Sequence, residues 1–367
     1  MTQSGKLQIG SWNVERVPEG RLLPPQAFTD PAVYEHELDR VFGRSWVHVA
    51  DLTDLEQPGD FVTADVGRSP VVVVRGHDGA LRGFFNVCSH RAATVADGKG
   101  NCGRRLVCPY HAWSYSTDGR LLSVPDKQEF TASLEGLDLR PVRVATMGPM
   151  VFACTDESTP DFDAWTGSQG RDWERTRPER YHLSCELEYE VAANWKLYVE
   201  NGLEGYHVQY VHDFLNDLVA TKNAKHSFHR GGSHTHAMVN EGYRDMLGED
   251  APLVNENGPY IQFGFVFPNL IPVVGAFASY LRVDPAGPDR LKLRFRAFDS
   301  GDERALSLRE FTRESTHRTN EQDIGVVERV QRGMHAKGYP GGLHASFLEV
   351  RIRHFEDLYV DHLLANA

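Results

Sequence analysis

Two short clusters of cysteine and histidine constrain this chain more than any other feature. The first cluster reads Cys88-Ser-His90-Arg91, and the second reads Cys108-Pro-Tyr-His111. Thiolate and imidazole groups are metal ligands, so two of each in short, separated clusters predict a four-ligand metal site. Each cluster contributes one cysteine and one histidine. The segment between the clusters is long enough for two loops to meet at one end of a small β domain.

The spacing within the clusters distinguishes two kinds of metal site. Structural zinc sites usually use Cys-x2-Cys and His-x3-5-His. In a Rieske [2Fe–2S] centre, one iron takes two cysteines and the other takes two histidines. The mixed clusters therefore favour a Rieske centre in which Cys88 and Cys108 bind one iron, and His90 and His111 bind the other. A Cys2His2 zinc ribbon is the alternative.

A second candidate metal site lies in the segment NWKLYVENGLEGYHVQYVH, residues 194–212. Glu204 and His207 are three residues apart, so they would be neighbours on one helical face. His212 would lie about 140° around a regular helix from His207, at ~100° per residue. The two histidines can meet at one metal only if the helix ends or bends between them. Two histidines with a distant carboxylate suit the facial triad of non-haem Fe(II) oxygenases, which leaves positions open for O2.

The best candidate for the third ligand is Asp323. On a helix, Asp323, Val327, Val330 and Met334 fall within about 40° of one another, which predicts that they share one buried stripe. Glu321 and Glu328 would point to the opposite side. A carboxylate on a buried stripe is costly unless a metal or a partner satisfies it, so Asp323 is favoured over its acidic neighbours. The alternative is a solvated charge on a helix whose apolar face lies elsewhere.

Four histidines form a rival cluster at His226, His229, His234 and His236. No carboxylate lies nearby in sequence, and Gly231-Gly232 indicates a loop. We therefore interpret these histidines as loop or pocket-wall residues. Metal binding by one of them is the alternative.

Length and composition limit the class of protein. The chain has 367 residues, enough for two domains, and a formal net charge of -12, which argues against nucleic acid or an anionic membrane as a partner. The beginning, MTQSGKLQIGSWN, has no apolar signal core, so we expect a cytoplasmic protein with no membrane span. We predict an N-terminal helical segment at 1–45 that packs on a catalytic domain at 156–367, with a metal-cluster domain at 46–155 between them.

The two motifs in this order resemble the catalytic α subunits of Rieske non-haem iron oxygenases, the ring-hydroxylating oxygenase family. The arginine after His90 and the Pro-Tyr pair before His111 belong to the resemblance. It implies an α+β fold, with a β-sandwich Rieske [2Fe–2S] domain and a catalytic domain whose antiparallel sheet is covered by helices. It also implies a mononuclear non-haem Fe(II), an NAD(P)H-dependent reductase with or without a ferredoxin, and a homotrimer with or without a small β subunit.

The resemblance assigns roles to particular residues. The mononuclear iron would be bound by His207, His212 and Asp323. Glu204 would link His207 to His111 of the adjacent chain, as expected of a ligating histidine that donates its free N–H to a carboxylate. This position is most often aspartate in aromatic-ring dihydroxylases, and glutamate resembles the branch that acts on quaternary ammonium compounds.

The resemblance leads us to expect an oxygenase that uses O2 to hydroxylate a small organic, aromatic substrate. One alternative is a monooxygenase of a quaternary ammonium compound related to choline, betaine or carnitine. The other is a Rieske electron carrier without a mononuclear iron. Six aromatic residues could wall a ring pocket or form a cage for a methylated ammonium: Tyr198, Tyr206, Tyr210, Phe214, Phe263 and Phe265.

Overall fold

The structure is a computed structural model that describes residues 7–175, 181–212, 219–239, 254–255, 258–275 and 278–365. The chain forms two compact units. We call Phe42–Thr159 the inserted unit, and Met1–Val41 with Pro160–Ala367 the main unit. The predicted boundaries, 46 and 155, lie four residues inside those of the inserted unit.

The inserted unit contains ten strands in two antiparallel sheets. The strands are β3 (Val47–Asp51), β4 (Asp60–Val66), β5 (Ser69–Arg75), β6 (Leu81–Phe85), β7 (Lys99–Asn101), β8 (Arg105–Val107), β9 (Ser114–Ser116), β10 (Leu121–Ser123), β11 (Pro141–Met147) and β12 (Met150–Cys154). One sheet has the order β3-β12-β11-β6-β5-β4-β7, and the other has the order β10-β9-β8. Short 3-10 helices lie at Phe42–Arg44, Leu52–Asp54 and Lys127–Glu129.

One hydrophobic core joins the two sheets of the inserted unit. Val72 and Phe84 of the larger sheet and Leu106 and Tyr115 of the smaller sheet belong to the same buried cluster. The β-branched run Val71–Val74 is almost wholly buried, as expected for a central strand. The two cysteines at the candidate metal site also belong to this core, so their loops are anchored where the sheets meet.

The main unit begins with a strand pair and two helices and continues after the inserted unit. Its first elements are β1 (Leu7–Ile9), β2 (Trp12–Val14), α1 (Gln26–Thr29) and α2 (Pro31–Arg40). The later strands are β13 (His182–Val191), β14 (Val219–His229), β15 (Gly232–Val239), β16 (Val254–Asn255), β17 (Gly258–Val266), β18 (Leu270–Val274), β19 (Ala278–Gly287) and β20 (Arg290–Asp299). The later helices are α3 (Phe162–Thr166), α4 (Gln169–Arg175), α5 (Trp195–Leu203), α6 (Val208–Val211), α7 (Glu303–Met334) and α8 (Val350–Leu364).

Helix α2 has a capped beginning and buries a carboxylate. Asp30 accepts a hydrogen bond from the Ala32 N–H at 2.9 Å, and a proline stands in the first turn. The buried side chains of the helix are Val33 and Glu37.

The buried Glu37 carboxylate ties α2 to the rest of the main unit. Its Oε2 accepts a hydrogen bond from Trp195 Nε1 at 2.7 Å, and its Oε1 accepts one from the Tyr359 hydroxyl at 2.6 Å. The Lys196 ammonium contacts the same Oε1. Because Trp195 and Lys196 open α5, this polar cluster fixes the start of the helix that leads to the second candidate metal site.

The main sheet is antiparallel, in the order β13-β20-β19-β18-β17-β15-β14, with β16 beside β17. Helix α5 packs closely on one face, because a Cβ on Gly202 would lie 2.5 Å from the Ile271 side chain. Helix α7 packs along β13, and α8 packs against β15. In the part of the chain described, the helices are too short or too polar to span a bilayer. The α+β architecture predicted from the sequence is confirmed.

Candidate metal centres

The loops that carry the two Cys-His clusters have the same backbone turn. In the first loop, the Ala92 N–H donates to the Cys88 carbonyl at 3.0 Å, and in the second, Ala112 donates to Cys108 at 3.0 Å. Both alanines have left-handed backbones, with φ of 58° and 56°. Each cysteine N–H also donates to the carbonyl five residues later, at 2.8 Å in both loops. Two copies of one turn therefore present one cysteine and one histidine each.

The four side chains of these loops divide by burial. Cys88 and Cys108 are each 2% exposed, whereas His90 and His111 are half-buried. The two imidazole rings lie 4.6 Å apart between centroids. His90 Nδ1 is buried, and it has no hydrogen-bond partner among the described residues. Such a ring nitrogen is costly unless it binds a metal, so the four residues fit a cluster with thiolates on the buried side and imidazoles on the exposed side.

Tyr115 contacts the buried side of this centre. Its hydroxyl lies 3.3 Å from Cys88 Sγ and accepts a hydrogen bond from the Ser89 N–H at 3.1 Å. Burial, together with the Cys88 hydrogen bond, raises the pKa of Tyr115 to about 12. The phenol therefore keeps its proton and can donate it towards the sulfur. Hydrogen bonds to sulfur ligands are one of the ways by which proteins set the potential of an iron–sulfur centre.

A break between α5 and α6 builds the second centre. Helix α5 ends at Leu203, and Glu204 is extended, with φ -123° and ψ 162°. His207 stands at the beginning of α6, and His212 ends it with an extended backbone. The helix ends between the two histidines, as the sequence requires, because α6 stops at Val211 and His212 is extended. The prediction that Glu204 and His207 share one helix face was wrong, because a turn brings them together.

The two imidazoles of this centre converge on one oxygen. His207 Nε2 lies 3.4 Å and His212 Nε2 3.1 Å from Asp323 Oδ1. The other ring nitrogens are also held: Glu204 Oε1 contacts His207 Nδ1, and Gln322 Oε1 lies 2.9 Å from His212 Nδ1. Histidines that bind a metal through Nε2 usually donate Nδ1–H in this way. The residues therefore fit a two-histidine, one-carboxylate metal site.

Without a metal, the hydrogen bonds among the three groups favour the charged form of each. Burial lowers the pKa of His207, but hydrogen bonds to Asp323 and Glu204 outweigh this and raise it to about 9. His212 has a raised pKa, since its hydrogen bonds to Asp323 and Gln322 outweigh the effect of burial. Burial raises the pKa of Asp323, and its hydrogen bonds to both histidines bring it below its ordinary value. A divalent cation would replace these protons.

Helix α7 presents Asp323 from a buried stripe, as the helical period predicts. Asp323 is 7% exposed, and Val327 and Met334 are buried with it. Val330 is 39% exposed, so its predicted place in the stripe was wrong. Glu321 is exposed, whereas Glu328 accepts a hydrogen bond from the Ala192 N–H at 3.1 Å.

Comparison with known families covers both units. Residues 45–143 match the model of the Rieske [2Fe-2S] domain, and residues 171–365 match that of the ring hydroxylating alpha subunit (catalytic domain). The chain belongs to the ring-hydroxylating oxygenase α-subunit family. It therefore carries a Rieske [2Fe–2S] cluster and a mononuclear iron, and the zinc ribbon and the electron carrier without mononuclear iron are excluded.

The chain is similar in sequence or in fold to three Rieske oxygenases. It is 33% identical to a chloroplastic choline monooxygenase of Arabidopsis thaliana, over 91% of this chain and 81% of that protein. It is 25% identical to the glycine betaine monooxygenase oxygenase subunit of Pseudomonas aeruginosa, over 94% of this chain and 89% of that protein. A crystal structure of a quaternary ammonium Rieske monooxygenase has the same fold, with a TM-score of 0.81 at 24% identity, over 95% of this chain and 99% of that one.

Two residues that hold the proposed iron ligands in place could not be predicted from the sequence. Gln322 holds His212, and Asn201 Nδ2 donates to Asp323 Oδ1 at 3.4 Å. Gln322 and Asn201 lie near the proposed ligands in sequence, but an amide side chain is not a typical metal ligand and does not stand out in a sequence. Each is recognised only by its contact with a proposed ligand on another element, which the folded chain shows.

The rival histidines lie on strands, so their interpretation as loop residues was wrong. His226 and His229 belong to β14, and His234 and His236 belong to β15. Gly232, the first residue of β15, has no room for a side chain: its φ is +146°, and a Cβ there would lie 1.9 Å from the Phe265 carbonyl oxygen of β17.

The rival histidines also have an acidic partner. His236 Nε2 lies 2.8 Å from Asp172 Oδ2, which comes from α4. Burial, with neighbouring positive groups, lowers the pKa of His229 to about 4 and that of His234 to about 3, so both rings are neutral.

The six aromatic candidates for a pocket wall fall into different environments. Tyr198 and Phe265 are fully buried, and the Tyr198 hydroxyl donates to Asn320 Oδ1 at 3.4 Å. Tyr206 is 42% and Tyr210 is 75% exposed, so neither is enclosed within its own chain. Phe263 is half-buried on β17, and Phe214 lies outside the described residues.

Proposed function

We propose that this protein is the terminal oxygenase component of a system that oxidises a quaternary ammonium compound related to choline, betaine or carnitine. The convergence of His207 and His212 on Asp323 Oδ1, in a member of this oxygenase family, is the observation that carries the proposal. Rieske oxygenases receive electrons from a reductase and act on a small molecule. Here we propose an NAD(P)H-dependent reductase as the electron source.

The proposal assigns the metal ligands residue by residue. Cys88, Cys108, His90 and His111 would hold the Rieske cluster in the inserted unit, and His207, His212 and Asp323 would hold the mononuclear iron in the main unit. When bound, the cluster supplies single electrons and the iron supplies an open coordination position at which O2 is activated. The two units would therefore divide electron delivery from oxidation of the substrate.

The surrounding residues set the state of the iron ligands. Glu204 and Gln322 accept the Nδ1 protons of His207 and His212, so Nε2 is the atom of each ring that is left to bind the metal. Asn201 donates to Asp323 Oδ1 and helps to hold that carboxylate in place. These contacts orient the ligands before metal enters, because no side chain must turn to expose its donor atom.

Glu204 is suited to join two subunits of a homotrimer. A carboxylate has about four acceptor positions, and three contacts of Glu204 lie in its own chain: the Tyr206 N–H, the His207 N–H and His207 Nδ1. One position remains for the half-buried His111 of a neighbouring subunit. The exposed rings of Tyr206 and Tyr210 lie next to this position in sequence and would be covered by the same contact. This supports an electron path from the cluster of one chain to the iron of the next.

The substrate class rests on two observations. Choline and glycine betaine, on which the two relatives act, are both quaternary ammonium compounds. Glu204 occupies the position at which aromatic-ring dihydroxylases most often have aspartate. Both favour the quaternary ammonium alternative over the aromatic substrate that we expected first from the sequence.

A substrate panel tests this proposal. The protein, with a Rieske reductase, NADH and 18O2, would be incubated separately with choline, glycine betaine, carnitine, benzoate and naphthalene. We expect 18O-labelled or demethylated product, matched to NADH consumption, from at least one ammonium compound, and none from the two aromatic compounds. Asp323→Ala is the matched control, since it should keep the cluster but form no product. Product from an aromatic compound alone would overturn the assigned substrate class, and a fully active Asp323→Ala would overturn the assigned site.

A further inference from the structure

A second group of two histidines and one aspartate lies in the main unit. One ligand atom from each of Asp172, His234 and His236 lies within 4.8 Å of the other two. Among the described residues, only this group and the His207, His212 and Asp323 group meet that criterion. Asp172 and His234 are 7% and 2% exposed, and His236 is half-buried, so the site is enclosed but not sealed.

The second group lies on the opposite face of the main sheet from α8. Ser233 accepts a hydrogen bond from Arg351 Nε of α8 at 3.1 Å. Because alternate residues of a strand point to opposite faces, His234 and His236 both point away from α8, towards Asp172 of α4. Two residues apart on one strand, these imidazoles need no bend in the backbone to reach a common point.

Hydrogen bonds from surrounding residues orient the three side chains, as they do around known metal ligands. His229 Nε2 lies 2.8 Å from His234 Nδ1. His229 can therefore fix the orientation of that ring and leave its other nitrogen, Nε2, to bind a metal. Asp172 accepts hydrogen bonds from Tyr260 at 3.3 Å and from Gln262 Nε2. Ligating histidines and carboxylates are usually oriented by such second contacts.

We propose that Asp172, His234 and His236 bind a divalent transition-metal ion of the Zn²⁺ type, at a site separate from the mononuclear iron. Two imidazoles and a carboxylate are ligands that Zn²⁺ accepts, and three protein ligands leave one position for water. The ion would join α4 to β15 of the sheet. The competing interpretation is a hydrogen-bonded network in which the same side chains satisfy one another without metal.

Zinc binding to a variant without the iron site tests the proposal. Full-length, tag-free Asp323→Ala protein with its Rieske cluster would be titrated with Zn²⁺, desalted, and analysed for bound zinc by plasma mass spectrometry. We expect one tightly held Zn²⁺ per chain. Adding Asp172→Asn or His236→Gln should weaken binding at least ~100-fold, because one ligand is lost, and adding His229→Gln should weaken it about 10- to 100-fold.

A histidine of the same hairpin provides the matched control. His226 Nδ1 lies 2.8 Å from the Thr235 hydroxyl, on the other face of β15 from His234 and His236, so His226→Gln should leave zinc affinity unchanged. X-ray absorption at the zinc edge of the Asp323→Ala parent gives a second measurement that needs no further variant. It should show two imidazoles and two oxygens, one from Asp172 and one from water, at about 2.0–2.2 Å.

The proposal is overturned if Asp323→Ala protein retains no zinc after desalting. It is equally overturned if folded Asp172→Asn and His236→Gln variants hold zinc as tightly as their parent, or if the absorption edge shows a thiolate ligand. None of these measurements depends on turnover, so the result is independent of the substrate assignment.

Discussion

The two proposed metal centres bring their histidines together in opposite ways. The loops at Cys88 and Cys108 repeat one hydrogen-bonded turn, and each proposed ligand pair lies within a single loop. The iron site instead collects His207 and His212 from the ends of a four-residue helix and Asp323 from a long helix more than a hundred residues later. The first centre depends on local backbone geometry, and the second depends on the packing of α5 and α6 against α7.

This difference implies that each centre binds its metal independently of the other, and that the two depend on each other only for electron transfer. The two cysteines proposed to bind the cluster sit in the core of the inserted unit, while the proposed iron ligands and the contacts that orient them lie in the main unit. Loss of one metal should therefore leave the other in place. Substitutions at the two centres can distinguish metal binding from electron transfer.

Cys88→Ser should have the largest effect, because a hydroxyl replaces a buried thiolate ligand. We expect loss of the red-brown colour, of the reduced EPR signal with an average g below that of an all-cysteine cluster, and of all turnover. Iron analysis should still find the mononuclear metal. Unchanged colour and signal would show that Cys88 is not a ligand, and loss of both metals would show that the centres are not independent.

Asp323→Ala should give the reciprocal result. Removing the only charged ligand should abolish mononuclear iron and lower turnover at least ~1000-fold, while the Rieske spectrum stays as in the parent. Iron content per chain and the cluster's EPR signal measure the two effects on one sample. A normal iron content would contradict the role assigned to Asp323.

Glu204→Gln should keep both metals and slow the transfer between them. Size is preserved and charge is removed, so the contacts to His207 and to a neighbouring His111 weaken. We expect reduction of the cluster by the reductase to be unchanged, and electron transfer to the iron to slow about 10- to 100-fold in stopped-flow measurements.

Mixed trimers show whether that transfer crosses subunits. Chains with Cys88→Ser lack the cluster, and chains with His207→Ala lack the iron site, yet together they should regain partial activity. Verified mixed trimers without activity would mean that electrons travel within one chain, and the bridging role of Glu204 would then be abandoned.

Gln322→Leu should have a smaller effect than loss of any ligand. The leucine removes the partner of His212 Nδ1 without removing a ligand, so iron affinity should fall about tenfold. Competition with a chelator measures this, and the cluster spectrum should not change. An unaltered affinity would show that packing alone orients His212.

The acidic neighbours of Asp323 should respond least. Glu321→Ala changes an exposed side chain and should leave iron content and activity unchanged. Glu328→Ala removes the acceptor of the Ala192 N–H and should lower the free energy of unfolding by about 0.5–1.5 kcal/mol, with iron retained. Thermal unfolding separates the two, and loss of iron in either would contradict the helical-face argument.

The cluster loops and the iron site also differ in how much of each could be predicted from the sequence. The spacing within the clusters was enough to propose all four Rieske ligands, because the geometry there is local. Helical arithmetic found the break before His212 and chose Asp323 over Glu321. It could not place Val330, which is exposed, because the helical period does not show which edge of a stripe the sheet covers.

The missed features all depend on contacts between distant elements. Gly231 lies in the turn of a hairpin and Gly232 begins β15, and without knowledge of the strand pairing the two glycines looked like a loop. Asp172 reaches His236 from α4, so no carboxylate could be found near the histidines in sequence. The burial of Glu37 depends on Lys196 and Tyr359, which come much later in the chain.

The position of Glu37 has a consequence for how the protein is made. The residues before Val41 belong to the main unit, yet Lys196 emerges from the ribosome roughly 150 residues later, which takes roughly 8–30 s at about 5–20 residues per second. During that interval the inserted unit can complete its own core, whereas Glu37 of α2 still lacks its partners Trp195, Lys196 and Tyr359. The N-terminal helices are therefore synthesised first but can pack on α5 only after the inserted unit has been made, and truncation of the N-terminus would remove the carboxylate that holds the start of α5.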